Sequence, residues 1–214
     1  MLKVKEILPE KPAGGLAELE KVRLGHRYQQ MLERAAEACG GPRFWRDRKG
    51  AMTRNVLALA EISPRFGVQN VDMRETLKIR AMMRVPVPLR PDADGRLRVA
   101  NAARLTFFYP EKALRQPLPG YSFVEILQPL GVWHANCSTE PVQLLCLGAE
   151  LPAGIRLTNI VLMTYGALSM QTTMLDERDA AGVLNPDAAR WWQENTALTP
   201  LSQALFLGPD GPDD

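Results

Sequence analysis

The sequence lacks any hydrophobic run near the roughly 18 residues that a membrane-crossing helix needs, so no membrane partner is expected. Its first fifteen residues carry Lys3 and Lys5 but no apolar core of the signal-peptide kind. Export is therefore not expected, and a cytoplasmic setting is. Neither sign of charge dominates. The 26 Lys and Arg stand against 24 Asp and Glu, and a net +2 does not by itself imply a nucleic-acid partner. Cysteine is scarce, and its count of three is odd. That argues against a disulfide framework and leaves either buried small hydrophobes or one working thiol. Only two histidines, His26 and His134, are present, which leaves few ways to build a metal centre or a catalytic base. No internal repeat or low-complexity tract occurs.

What is present is a 214-residue chain with 46% hydrophobic and 23% charged residues, enough to bury the core of one domain. Residues 1–15, with Pro9, Pro12, Gly14 and Gly15, read as an irregular lead-in. A helix is expected over 16–39, because Tyr28, Met31, Leu32, Ala35, Ala36 and Cys39 fall on one helical stripe that also predicts burial of Cys39. Gly40, Gly41 and Pro42 supply its stop. Residues 43–75 read as an insertion or an extra helix, with Met52, Val56, Leu59 and Ala60 on one side. The basic stretch Arg43 to Lys49, interleaved with Phe44 and Trp45, suits either a phosphate backbone or, as the plainer reading, a solvated helix start.

From Thr76 the period becomes two. Leu77, Ile79, Ala81 and Met83 alternate with Lys78, Arg80 and Met82 up to Val85–Pro88, which predicts a strand. Further strand runs are expected at 96–99, 104–109 and 121–127, divided by turn residues. The short connections favour an antiparallel meander. After Cys146, Leu157 to Met170 form an apolar helix, and Asn185 with Pro186 caps another. Trp191, Trp192 and later Leu198, Leu201, Leu205 and Phe206 read as packing residues of a C-terminal helical piece, and 208–214 as a disordered tail. The fold class expected is α+β, a four-stranded antiparallel meander with an N-terminal helix and C-terminal helices.

Candidate chemistry concentrates between Trp133 and Leu147, which hold His134, Asn136, Cys137 and Cys146. From these residues alone three readings stay open. His134, Cys137 and Cys146 offer three zinc ligands but no fourth lies near. His134 is also placed to act as base to Cys146 in a cysteine hydrolase, although no local hydrolase signature surrounds either residue. The plainest reading is a buried strand-end cysteine beside a hydrogen-bonded histidine.

The same stretch resembles the active-site segment of the ubiquitin-conjugating enzymes, which read His-Pro-Asn, a short loop, then Cys-Leu. Here the order is His134-Ala135-Asn136, then Cys146-Leu147. Upstream, Leu105 to Pro110 resembles the family strand that ends in an aromatic-proline pair. Pro117-Leu118-Pro119 and Phe123 to Ile126 resemble its proline-rich turn and next strand. Downstream, Leu151-Pro152 with Leu157 to Leu168 resembles the crossover helix, and Leu184 to Ala189 the start of the next. The match covers roughly 76–195. It departs from the family at Ala135, in the ten-residue step from Asn136 to Cys146, and in lacking the tryptophan that follows the family cysteine.

The resemblance implies a UBC-like domain over 16–207 and an acyltransferase akin to the stand-alone conjugating components of bacterial ubiquitination-like antiphage defence operons. It implies that Cys146 accepts a ubiquitin-like modifier as a thioester from an activating enzyme and passes it to a target lysine. Asn136 is then expected as oxyanion donor and His134 as the residue fixing the loop. Asp176, Glu177 or Asp179 is expected to assist the attacking amine. No cofactor, metal or nucleic acid enters this scheme. A catalytically silent binding or scaffold module of the same fold is the alternative.

Overall fold

Alternation is strongest in the segment that forms the longest strand. In β2 (Leu77–Leu89), Leu77, Ile79, Ala81, Met83 and Val85 are buried while Lys78, Arg80 and Arg84 face solvent. The computed structural model describes residues 18–139, 141–176 and 182–208. Around β2 lie β1 (Phe66–Asp72), β3 (Arg98–Tyr109), β4 (Val124–Gln128) and the short β5 (Gln143–Leu144). They pair antiparallel in the order β1-β2-β3-β4-β5. The helices are α1 (His26–Glu37), α2 (Arg43–Ile62), α3 (Leu157–Leu168) and α4 (Pro186–Glu194). The chain is therefore α+β, with five strands where the sequence suggested four.

Three expectations are corrected. First, β1 was hidden within 43–75. Its burial does not alternate regularly, because the register shifts between Val68 and Asn70. Second, the runs at 96–99 and 104–109 are one strand: the weakly patterned Asn101-Ala102-Ala103 is carried by its pairing to β2, where Ala102 meets Arg84 and Ala103 meets Met83. Third, the helix that leads into the sheet is α2. The described part of that stretch, 18–39, instead gives a 3-10 turn at Leu19–Lys21 and the separate α1. Gly41, at φ +94, turns the chain after α1, as a left-handed position requires.

The principal core lies between α2, α3 and the inner sheet face, and includes Val56, Leu57, Leu59, Ile79, Leu105, Phe107, Ile160 and Val161. The basic start of α2 is only partly solvated. Lys49 is fully buried, its ammonium donating to the carbonyls of Gly40 and Glu75 at 2.7 and 3.2 Å and also to Met73. It thereby ties α2 to the β1–β2 turn. The C-terminal helical piece holds Trp191 and Trp192 in α4 but, among the described residues, does not reach Leu201, Leu205 or Phe206. Only a 3-10 turn forms at Thr196–Leu198. Leu205 stays 74% exposed, while Phe206 is buried against Phe66 and Tyr165. No described helix is long and apolar enough to cross a membrane.

Candidate active site

After β4 the chain runs back along the end of β2, where Val132 bridges Leu89 and the Trp133 N–H donates to the Pro88 carbonyl at 2.8 Å. Buried Gln143 fixes this return. Its Oε1 accepts from Val132 N at 2.9 Å, and its Nε2 donates to the Pro129 carbonyl at 2.8 Å. The return delivers His134, Ala135 and Asn136 into the interior between α3 and α4, with all three buried.

Each of the three holds a different neighbour. His134 Nδ1 accepts from the Asn136 backbone N–H at 3.0 Å, so the ring proton sits on Nε2 and is donated to the Ala167 carbonyl at 2.9 Å. Burial pushes its pKa down to about 4, opposed in part by that carbonyl, so the imidazole is neutral at pH 7. The Ala135 carbonyl accepts from Leu184 and Asn185, both at 2.9 Å, and so anchors the entry to α4. Asn185 caps that helix as expected, accepting from Ala188 N with Pro186 at the first position. The Asn136 amide donates to the Met174 carbonyl at 3.1 Å and the Gly182 carbonyl at 2.7 Å, while its Oδ1 accepts from Met174 N at 3.1 Å. An oxyanion-donor role for Asn136 therefore requires one of these bonds to be released.

Cys146 is brought to this triplet by backbone pairing. Its N–H donates to the Asn136 carbonyl at 2.7 Å, next to a bridge between Cys137 and Leu145. The ten-residue step thus closes into a loop that returns Cys146 to Asn136. The Cys146 Sγ lies 3.1 Å from the Gly148 carbonyl, and the residue is 3% exposed. Cys137 is fully buried, and burial pushes its thiol up to about 12. The two cysteines thus differ in setting, and the thiol of Cys137 is protonated throughout the neutral range. Cys39 is half-buried at the end of α1, packed against the core as its stripe suggested.

Gly120, directly after Pro117-Leu118-Pro119, sets this site. Its N–H donates to the Gly148 carbonyl at 3.1 Å, and a Cβ there would come within 2.2 Å of the same oxygen. Only the Pro-Gly dipeptide in Pro117 to Gly120 hints at so close an approach. Gln143, the other unanticipated residue, lies in a two-residue strand too short to give a period. Asp176 is exposed on the segment after Met174, whereas Glu177 and Asp179 lie outside the described residues. Compared with protein-family models, curated proteins and solved structures, the chain matches none.

Proposed function

We propose that this chain is a conjugating enzyme of the UBC-like type, carrying a ubiquitin-like protein as a thioester on Cys146. The observation that carries the reading is the 2.7 Å backbone bond from Cys146 to Asn136, which joins the two halves of the His-x-Asn…Cys-Leu pattern in space. An antiparallel meander with helices before and after it supports the reading, although two helices precede the sheet and it has five strands. In the reaction, the Cys146 thiolate attacks the modifier's thioester carbonyl on an activating enzyme. A new C–S bond forms as the old one breaks, and the activating enzyme's thiolate leaves. A target lysine amine then attacks the same carbon, the C–S bond to Cys146 breaks, and the amine proton passes to solvent or to a loop carboxylate such as Asp176. Cys146 needs no histidine base for this exchange, and His134 has both ring nitrogens engaged in the fold.

A second reading, a silent binding module of the same fold, is favoured by the 3% exposure of Cys146. One experiment separates them. The chain is incubated with ATP, a ubiquitin-like protein and an adenylating enzyme, then run on a non-reducing gel. The expected product is a thiol-sensitive adduct that Cys146→Ser abolishes or converts to a thiol-resistant ester. Cys137→Ser and Cys39→Ser should still charge. No adduct with the wild-type chain supports the silent module, and loss with Cys137→Ser alone overturns the choice of thiol.

A further inference from the structure

We propose that the cleft between α2 and the start of α3 binds a small phosphate monoester, with its phosphate seated on the first turn of α3. The cleft holds about 500 Å³, within the range of roughly 300–1,000 Å³ common for small-molecule sites. It includes none of His134, Asn136, Cys146, Gly120 and Gly148. Helix α3 begins without a side-chain cap, because its N-cap is Arg156, whose side chain has no acceptor. Asn159 N and Ile160 N both donate to the Arg156 carbonyl, at 2.9 and 3.2 Å. Among the described residues the N–H groups of Leu157 and Thr158 have no partner. Thr158 adds an independent signal. It lines the cleft and is only 5% exposed, yet its hydroxyl has no hydrogen-bond partner among the described residues. Buried hydroxyls normally find one. Thr164 and Ser169, farther along and just past the same helix, each donate at 2.7 Å to the carbonyl four residues back. At the second helical position there is no preceding turn to supply that carbonyl, so the Thr158 hydroxyl opens on the cleft.

Two arginines add charge to these donors. Arg48 of α2 and Arg156 both line the cleft, are exposed, and make no ion pair or hydrogen bond among the described residues. Burial raises the Tyr109 pKa and the Arg48 charge opposes the rise, which sets that guanidinium near the phenol at the cleft wall. Among the described residues lining the cleft, Glu20 is the one acid, so the balance is cationic even before the positive end of α3 adds to it. The donors are also held in advance. The Tyr109 hydroxyl donates to the Ile155 carbonyl and Gly154 N to the Ala113 carbonyl, both at 2.8 Å, which fixes the entry to the helix. A phosphate monoester presents three terminal oxygens to two N–H groups, a hydroxyl and two guanidinium groups, where a carboxylate presents two. Leu19, Met52 and Leu114 give the cleft an apolar wall for the organic part of the ester.

The test is an amide NMR titration of the full chain near neutral pH with sodium phosphate and with phenyl phosphate, against sodium chloride at matched ionic strength. The Leu157 and Thr158 amide signals should shift saturably with both phosphates. Phenyl phosphate should bind at least about fivefold more tightly than phosphate, since its ring covers the apolar wall. Thr158→Val should weaken phenyl phosphate at least about fivefold, and Thr158→Ser, which keeps the hydroxyl, should bind as the wild type does. Arg48→Gln combined with Arg156→Gln should weaken it at least about tenfold. The indole signal of Trp192, whose N–H donates to the Trp133 carbonyl outside the cleft, reports that each variant stays folded. Absence of a saturable shift with either phosphate overturns the proposal. Equal affinity for the two phosphates, or wild-type affinity in Thr158→Val and in the double arginine variant, marks an adventitious ion only and also overturns it. A loss in Thr158→Ser as large as in Thr158→Val assigns the effect to packing and overturns the role of the hydroxyl.

Discussion

His134 and Asn136 both direct their side-chain polar atoms at backbone groups, and this determines what their removal does. Asn136→Ala strips partners from Met174 N, the Met174 carbonyl and the Gly182 carbonyl. At about 1 kcal/mol per bond, the expected loss is roughly 3 kcal/mol of stability, read as a lower urea midpoint. Charging and discharge of Cys146 should then slow together. A pure oxyanion donor gives the opposite signature, slower discharge alone at unchanged stability. For His134, the fold disfavours the imidazolium, so the unfolded chain takes up its proton first as pH falls. Its contribution is fully present above pH 6.5 and is lost between 6.5 and about 4. Acidification through that window should cost about 3 kcal/mol of unfolding free energy. The slope should flatten in His134→Gln, and an unchanged slope would show that another group carries it. The sequence pattern marked both residues, but not what they hold, because Ala167, Met174 and Gly182 lie 33 to 46 residues away.

Elements were legible where burial is one-sided. The inward Leu77, Ile79, Ala81 and Met83 disclose β2, and Asn185-Pro186 discloses the start of α4 through a local cap. The start of α2 was legible as a helix but not its burial, because polar Lys49 and Thr53 occupy buried positions on it, satisfied by partners some twenty residues on. β1 was obscured by its irregular register. At the site, the least legible contact is the approach of two backbones. At Gly120 the space for a Cβ is taken by the Gly148 carbonyl at 2.2 Å and by Gly148 N and Leu147 N at 2.7 and 2.9 Å. These are main-chain atoms and cannot rotate aside. Gly120→Ala should therefore push the segment after Cys146 away, costing about 1–3 kcal/mol. It should also reduce thioester formation beyond what the stability loss explains. The control is Gly50→Ala, where a Cβ meets nothing within 4 Å on the exterior of α2. A Gly120→Ala chain as stable and active as wild type would show that the 147–148 segment is not fixed by this contact.

Across the whole molecule, the site is assembled from separate stretches of chain that meet only after the sheet and helices close on each other. That closure depends on a residue far from the chemistry. Phe206 lies 6.0 Å from the Phe66 ring and 5.3 Å, edge-on, from Tyr165, so it joins the start of β1 to α3. Tyr165 is two residues before Ala167, whose carbonyl receives the His134 proton, which links the end of the chain to the site through one turn of helix. Sequence alone assigned Phe206 to a helical piece that stops at α4, well short of it, since a single aromatic beyond the last regular element carries no period. Phe206→Ala should lower the unfolding free energy by about 3–5 kcal/mol, as expected for an aromatic side chain removed from a closed core. Leu205→Ala, one residue earlier and 74% exposed, should cost no more than about 0.5 kcal/mol. Urea melts of the two variants check both values. If they lose equal stability, the chain end is held by the Ser63 and Arg65 bonds to its backbone, which both substitutions leave in place, and not by the Phe206 ring.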